Sequence, residues 1–339
     1  MTWGRIRRGG RARTRDAVAL TLVAAFLAAC GGAKSPEPSS SISDSSSPSV
    51  SPSPTVVVPP AGYAPLTGLP MTSAAAVARP IVAVAVAIVP GAAAPKSLGS
   101  ADLLYQEFDR TGRSRVLALY QSADAQLVGP VADTAPVDIR LLAPMAVPVY
   151  AFVGGPTGFV AQARADVVTP RSALTVPALF HSAGGLFTST SALRASAPRS
   201  LPAPPGLLSF DAVPAASAKG ATKVTKVTIA VPGQPSQSWA WSGKAWIGPG
   251  GLSRTNLVIQ TVLYKTLTPS KGAAVASATV IGNGASTVLA ANLAVKGTWG
   301  RPALLQTTSY ADSAGLPFSL QPGPTLVLLV PAGTKVTLA

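Results

Sequence analysis

Three carboxylates within one short stretch, Asp102, Glu107 and Asp109, are the side chains best suited to chemistry in this sequence. Paired carboxylates can act as general acid and general base. The alternative is that these charges form the solvated end of a hairpin, which is the usual case for a mixed cluster. The two interpretations differ in whether the carboxylates converge in a concave site. The arginines that accompany them are Arg110, Arg113 and Arg115.

Other catalytic groups are scarce. The chain has one histidine, His181, and one cysteine, Cys30. A metal site needs several His, Cys or carboxylate ligands, so we predict no metal and no cofactor. His181 next to Ser182 does not indicate a triad, because sequence neighbours rarely point together. We therefore assign no catalytic residue and favour a non-enzymatic protein.

A glycine-rich segment from Gly154 to Gly158 lies between a predicted strand and a predicted helix. Free N–H groups at the start of a helix can bind an anion, and glycines let a ligand come close. The alternative is a tight connection without a ligand. The candidate anion- or ligand-binding residues are Gly154, Gly155, Thr157, Gly158, Asp102 and Arg115.

Trp239 and Trp241 are two residues apart and share one face of a predicted strand. Exposed, the two rings could stack on a sugar. Aromatic residues at this spacing more often belong to a buried core, and we favour that interpretation.

The N-terminal 29 residues have the pattern of an export signal. Residues 1–16 contain six arginines, and residues 17–29 are apolar except for one threonine. Thirteen residues are too few for a helix that crosses a bilayer, which needs roughly 20. The small residues Ala28 and Ala29 precede Cys30, and the segment resembles a bacterial lipobox. That resemblance implies cleavage before Cys30, a lipid on its sulfur, and a location on the outer face of the cell membrane. The alternative is an ordinary secretory signal with an incidental cysteine.

Residues 30–60 form a predicted disordered tether. Residues 31–60 contain 11 serines and 7 prolines, and large apolar side chains are nearly absent before Val56. Such a segment cannot bury enough apolar surface to offset the entropy of ordering. Extended, it would reach about 90 Å at ~3.1 Å per residue.

Positive charge is concentrated in the C-terminal half. No acidic residue occurs between Asp211 and Asp312, an interval with nine lysines and arginines. Such a field attracts anions, and for an exported protein we expect anionic lipid or an anionic wall polymer rather than nucleic acid. The alternative is a sparsely charged surface that happens to be basic. The predicted basic surface is Lys223, Lys226, Lys265 and Lys271, and the interval's other cations are Lys219, Lys244, Arg254, Lys296 and Arg301.

The elements that would position these residues are mostly strands. The alternating run between Pro80 and Pro90 predicts a strand buried on both faces. The stretches 100–107 and 115–122 predict a hairpin, and 148–153 a strand followed by a helix over 159–167. Residues 195–222 predict a loop or boundary, and the pattern after Lys223 is β throughout. Asn283-Gly284 predicts a type I′ turn between strands 273–281 and 285–290.

Short motifs run through residues 64–332 in a specific order. They are Pro65-Leu66-Thr67-Gly68-Leu69-Pro70, Arg79-Pro80, Ala101-Asp102-Leu103-Leu104-Tyr105, Arg115-Val116-Leu117-Ala118-Leu119-Tyr120-Gln121-Ser122, Val128-Gly129-Pro130-Val131, Asn256-Leu257-Val258-Ile259, Gly297-Thr298-Trp299 and Pro322-Gly323-Pro324-Thr325. In this order they resemble the YerB-like lipoprotein family, whose domain has no assigned function. The resemblance implies an α+β layered sandwich, rich in β-strand with few helices, in an N-terminal part (61–210) and a C-terminal part (211–339).

The chain departs from that family at polar positions. Ile88-Val89 replace a polar pair, Gln106 replaces a glutamate, and Ala132 replaces an arginine. Ala183-Gly184-Gly185 stand where the family has Pro-His-Asn. We therefore expect a retained fold with a lost or altered site, in a lipid-anchored envelope protein that binds or scaffolds a partner. The alternative function is an envelope hydrolase that uses the carboxylates near Asp102.

Overall fold

A computed structural model describes residues 62–88, 94–108, 114–163, 167–212, 218–269 and 272–339. Cys30, the signal and the tether lie outside these ranges, as do Asp109, Arg110, Arg113 and Lys271, so the predictions that depend on them stay predictions. The described residues form a β-rich α+β fold with few helices, as predicted.

The described strands are Val82–Ile88 (β1), Leu103–Phe108 (β2), Ser114–Tyr120 (β3), Val149–Phe152 (β4), Thr169–Ser172 (β5), Phe180–Ser182 (β6), Leu186–Thr188 (β7), Thr222–Lys223 (β8), Lys226–Ala230 (β9), Gln237–Trp241 (β10), Trp246–Ile247 (β11), Ser253–Arg254 (β12), Asn256–Leu267 (β13), Val275–Thr279 (β14), Gly282–Ala290 (β15), Leu293–Arg301 (β16), Ser309–Ala311 (β17), Thr325–Pro331 (β18) and Lys335–Leu338 (β19). The described α-helices are Ala74–Val77 (α1), Pro136–Leu142 (α2), Thr157–Ala163 (α3) and Thr190–Ala195 (α4), and single 3-10 turns occur at Lys96–Ser100, Pro177–Leu179 and Pro249–Gly251.

One large mixed sheet forms the middle layer. Its strand order is β17-β16-β15-β13-β18-β2-β3-β1-β4-β5, with β14 paired to β13 and β8 paired to β16. The central strand β18 runs parallel to both β13 and β2 and is buried along nearly its whole length. The β18–β2 pair joins strands from residues 61–210 and 211–339 in one sheet. The proposed division between those two parts stays a prediction.

The strands at and next to the candidate carboxylates form as the sequence predicts. β1 is buried over its first five residues because alternating Val and Ala pack against both layers. β2 and β3 form the predicted antiparallel hairpin, with Leu103 opposite Leu119 and Glu107 opposite Arg115. β4 pairs with β1 in parallel.

A second sheet of five strands, in the order β12-β11-β10-β9-β19, covers one face of the large sheet. Its inner face carries Trp239 and Trp246, which are 1% and 0% exposed and belong to the core with Val227 and Ile229. Trp241 packs against that core at 5.6 Å from the Trp246 ring. The prediction that Trp239 and Trp241 belong to a core is confirmed.

The other face of the large sheet is covered by α2 and α3. Val137, Leu141 and Leu142 of α2 pack on the sheet residues Tyr150 and Phe152, in a second apolar cluster. The described fold therefore has three layers: the five-stranded sheet, the large sheet, and the layer that contains α2 and α3.

The predicted turn at Asn283-Gly284 is wrong. Both residues lie inside β15, which pairs with β16, whereas β14 pairs with β13. Gly284 is required because a Cβ there would lie 2.7 Å from Trp299 Nε1 and 2.7 Å from the Thr261 carbonyl oxygen. The hairpin instead turns after Ala290, where Ala291 has a φ of 51°. Close packing by a tryptophan, rather than turn geometry, explains this glycine.

Candidate functional site

The most densely connected polar cluster of the described chain surrounds Arg115 on β3. Its guanidinium donates two hydrogen bonds to the Asp138 carboxylate, of 2.5 and 2.9 Å, and one of 3.0 Å to the Asp133 carbonyl oxygen. Glu107 Oε2 lies 4.0 Å away on the neighbouring strand. One cation thus faces two carboxylates. Both carboxylates are shielded from solvent, since Glu107 is 5% and Asp138 0% exposed.

Asp138 is the centre of this cluster. It is the third residue of α2, which begins at Pro136, and its carboxylate also accepts the N–H of Ala135 at 2.8 Å. The Tyr150 hydroxyl donates to the same carboxylate, and Thr134 Oγ1 lies 3.1 Å from that hydroxyl. The start of α2 is therefore fixed to β3 and β4.

The charges of this cluster stabilise one another. Burial alone would lower the pKa of Arg115, but Asp138 outweighs burial and holds that pKa above its ordinary value. Burial, reinforced by the negative Asp138, raises the pKa of Tyr150 well above its ordinary value. Both groups therefore keep one protonation state across the physiological range, which suits a structural network rather than proton transfer.

Glu107 extends the network to the C-terminal part of the chain. Its Oε1 accepts the N–H of Ala278 on β14 at 2.8 Å. The described part of the predicted carboxylate–arginine cluster is thus a buried contact between β2, β3 and β14. It is not a solvated hairpin end.

The predicted glycine site lies next to this cluster. The Gly154 N–H donates to Asp133 Oδ1 at 3.1 Å, and the Gly154 carbonyl accepts the N–H of Thr134 at 2.9 Å. Gly155 has a φ of 134°, which favours glycine, and a Cβ there would lie 3.2 Å from Thr134 Cγ2. An anion at the Gly154 N–H would meet the Asp133 carboxylate, so this geometry suits a tight connection.

The following helix begins two residues earlier than the sequence predicts. α3 covers Thr157–Ala163, and Thr157 and Gly158 form its first turn. Gly158 has open space where a Cβ would be. Asp133 was the residue that sequence reasoning missed here, because nothing in its local sequence indicates that it would approach Gly154 from another loop.

Asp102 lies at the opposite end of the β2–β3 hairpin from Arg115. Its carboxylate accepts the N–H groups of Gln121 and Ser122, at 2.6 and 2.8 Å, and the Ser122 hydroxyl. The residue is 3% exposed. Burial raises the pKa of Asp102, although these hydrogen bonds and Arg254 act against the rise. Asp102 and Glu107, five residues apart, do not converge on a common site.

The lone histidine lies in the small two-stranded sheet of β6 and β7. His181 is exposed on β6 and stacks on Phe187 of β7, with ring centroids 6.2 Å apart. Ser182 is also exposed, at the end of the same strand. Within the ranges that the structure covers, no three His, Cys, Asp or Glu side chains are grouped so that they could hold a metal ion.

Two of the nine cations of the acid-free interval do not belong to a surface. Arg254 and Arg301 are 1% and 2% exposed. Arg254 donates to the carbonyl oxygens of Leu98 and Gly99, and burial lowers the pKa of Arg254 to about 10. Arg301 donates to the carbonyl oxygens of Arg140 and Leu304, at 2.5 and 2.6 Å. Sequence counting could not separate these arginines from the lysines, because their hydrogen bonds go to backbone carbonyls of residues far away in the sequence or, for Leu304, to a local loop.

The lysines of that interval for which the structure gives positions are all exposed. They lie on different elements, with Lys223 on β8, Lys226 on β9 and Lys265 on β13. The carboxylates elsewhere in the fold have other partners. The buried Asp138 pairs with Arg115, and the more exposed Asp124 pairs with Arg79 and Arg194. The remaining exposed lysines of the interval are Lys219, Lys244 and Lys296.

A shallow groove lies on β15, β16 and β17. It encloses about 300 Å³, and its hydrogen-bonding side chains are Asn283, Thr298 and Ser309. Its lining has no carboxylate, histidine or cation, so it offers no acid–base chemistry. The other residues of its lining are Gly284, Trp299, Gly300 and Ala311.

Comparisons with known proteins give a family and a fold. Residues 66–199 match the model described as protein of unknown function (DUF3048), N-terminal domain, and residues 250–327 match its C-terminal domain. The crystal structure of the YerB protein from Bacillus subtilis aligns with a TM-score of 0.66 and 17% identity, over 81% of this chain and 99% of that one. No curated protein matches. None of the helices in the described ranges is long and apolar enough to cross a membrane.

Proposed function

The chain belongs to the family of proteins of unknown function that carry the DUF3048 N-terminal and C-terminal domains, and we propose that it is a lipid-anchored, extracytoplasmic binding or scaffold protein of the cell envelope. The anchor in this proposal is Cys30, at the end of an apolar segment, followed by a Ser- and Pro-rich tether. The folded part then works at the outer face of the membrane by contact rather than by catalysis.

One observation supports contact over catalysis. Two of the polar side chains that the sequence indicates for chemistry are held in buried structural bonds: Asp102 by Gln121 and Ser122, and Arg115 by Asp138. A catalytic carboxylate must reach its substrate within hydrogen-bond distance. Asp102 and Glu107, at 3% and 5% exposure, do not offer that access.

The alternative, an envelope hydrolase that uses the carboxylates near Asp102, receives no support from this geometry. Hydrolases of the paired-carboxylate type need both groups at one substrate. Asp102 and Glu107 lie five residues apart along the extended β2 segment of the hairpin, about 16 Å at ~3.3 Å per residue.

The anchor is tested by Cys30→Ala in cells that process lipoproteins. We expect loss of metabolic fatty-acid labelling, and an unprocessed or released protein in place of the membrane-bound form. Ser35→Ala, a change of similar size five residues further on, serves as the matched control and should keep both label and location. Membrane-bound, labelled Cys30→Ala protein would contradict the proposal.

A further inference from the structure

The outer face of the five-stranded sheet has an unusual composition. The strand registers place Thr337, Thr228 and Ser238 side by side across three strands. Lys226 and Lys335 lie on either side of this hydroxyl row, because Lys226 precedes Thr228 by two residues and Lys335 precedes Thr337 by two. We call these five residues the outer face. Both lysines are exposed, and the core tryptophans point the other way.

No acidic side chain occurs on the five strands of this sheet. Lys244, in the turn between β10 and β11, adds a third exposed lysine at the Lys226 end. The outer face is therefore positively charged and polar, and the side chains between its lysines are short.

We propose that the outer face rests on an anionic lipid bilayer, and that Lys226 and Lys335 are its main contacts. This inference builds on the proposed lipid anchor by naming the surface that meets the membrane. Juxtamembrane lysines are attracted to the negative surface potential of anionic lipids. Hydroxyl groups between them can donate to headgroup phosphate oxygens.

The shape of the face favours a bilayer over a soluble polymer. Thr228, Ser238 and Thr337 have short side chains at the ~4.8 Å spacing of neighbouring strands, so the face is flat between its lysines. A flat surface meets a plane over its whole area, whereas a polymer chain is held better in a groove. The groove on β15–β17 lies on another sheet and has no cation in its lining.

The tether can accommodate this orientation. The first described residues, including Leu66, pack in the cluster on the α2 side of the large sheet, and the outer face lies in the opposite layer. A folded part of this size is about 50 Å across by the usual scaling of radius with length. The predicted tether, at about 90 Å when extended, exceeds that span.

The test is lysine footprinting of the full, lipid-modified chain on vesicles. The protein is reconstituted into phosphatidylcholine vesicles, or into vesicles of equal parts phosphatidylcholine and phosphatidylglycerol, and treated with an amine-acylating reagent. Mass spectrometry then gives the labelling of each lysine. We expect labelling of Lys226 and Lys335 to fall severalfold on the anionic vesicles only. Lys219 and Lys265, which are exposed on other elements, serve as internal controls and should not change.

Salt and charge reversal complete the test. Protection should disappear in 1 M salt, where charges are screened over about 3 Å. Lys226→Glu/Lys335→Glu should abolish protection of Lys244 at the rim, whereas the matched pair Lys219→Glu/Lys265→Glu should leave the footprint intact. Equal labelling of Lys226 on neutral and anionic vesicles overturns the proposal. So does equal protection by soluble poly(glycerol phosphate) without vesicles, which would assign the face to a polymer.

Failure of the anchor is read separately from failure of the face. A chain that does not sediment with neutral vesicles contradicts the proposed lipid anchor. The footprint on anionic vesicles still decides whether the outer face binds, since that contact requires charge alone.

Discussion

The guanidinium of Arg115 and the carboxylate of Asp138 face each other in a two-point contact, with hydrogen bonds of 2.5 and 2.9 Å. This pair joins the β2–β3 hairpin to the first turn of α2. It is partly shielded, since the Arg115 side chain is 19% and the Asp138 side chain 0% exposed. Removing one partner of such a pair leaves an uncompensated charge, and for a well-buried pair this costs about 3–5 kcal/mol.

We therefore expect Asp138→Asn to lower the free energy of unfolding by about 2–4 kcal/mol, reduced from the fully buried case by the partial exposure of Arg115. Adding Arg115→Met should recover much of the loss, because the unpaired cation is then gone. Urea unfolding of the single and double variants measures the loss of stability and its recovery. A single variant within 0.5 kcal/mol of the parent, the range expected for surface substitutions, would contradict the assigned role.

The ion pairs of Asp124 make stability depend on pH. Arg79 and Arg194 lie 3.4 and 2.8 Å from this carboxylate, and Thr190 donates to it at 2.9 Å. Burial acts to raise the pKa of Asp124, but the hydrogen bond from Arg194 and its other partners outweigh burial and lower it. A carboxylate whose pKa is lowered by folding stabilises the folded state at pH values above its unfolded pKa of about 3.9. This stabilisation is lost as the pH falls through the folded pKa.

Asp124→Asn should therefore be less stable than the parent at pH 7 by up to about 1 kcal/mol, since the carboxylate is partly exposed and screened. The difference should shrink as the pH falls below about 4. Urea unfolding at a series of pH values measures it. A constant difference at every pH would show that packing, rather than the charge of Asp124, is responsible.

Among the described glycines, Gly248 packs closest to a core tryptophan, Trp239. A Cβ at this position would lie 2.4 Å from the Trp239 ring. Because Trp239 is 1% exposed and cannot move outward, Gly248→Ala should cost about 1–3 kcal/mol from overpacking. Gly158→Ala is the matched control: it has open space and lies in α3, so it should be neutral or stabilising by up to about 1 kcal/mol. Thermal unfolding compares the two, and equal effects would refute this account.

Local sequence pattern was sufficient for the elements whose neighbours are close along the chain. β1 was predicted from its Val and Ala alternation, and the β2–β3 hairpin from two apolar stretches around a polar turn. The wrong turn at Asn283-Gly284 shows the limit: a glycine needed for the approach of Trp299 has the same sequence signature as one needed for a turn.

The candidate site shows the same limit more strongly. Asp102 and Arg115 were grouped because they are near in sequence, yet Asp102 lies at the open end of the hairpin and Arg115 near its turn. Asp133 and Asp138 complete the Arg115 cluster from a loop and a helix. Such contacts depend on the packing of separate elements, which no local pattern encodes.

Asp102 offers the sharpest distinction between a structural and a catalytic carboxylate. Its oxygens accept three hydrogen bonds, from Gln121 N–H, Ser122 N–H and the Ser122 hydroxyl. Asp102→Asn keeps the shape of the side chain but replaces one carboxylate oxygen, a hydrogen-bond acceptor, with an NH₂ group. That NH₂ group would face one of these donors, which then has no acceptor. Leaving a buried donor unsatisfied costs about 1–3 kcal/mol, and we expect a loss of that size in urea unfolding.

The pH dependence of Asp102 has the opposite sign to that of Asp124. Burial raises its folded pKa, so its protonated form is favoured in the folded state, and stability falls as the pH rises from the unfolded value of about 3.9 through the folded value. The Asp102→Asn variant should lose this decline. His181→Ala, an exposed substitution, should stay within about 0.5 kcal/mol of the parent. A fully stable Asp102→Asn protein that fails to support the phenotype of the intact gene would instead identify Asp102 as a functional carboxylate and revive the hydrolase.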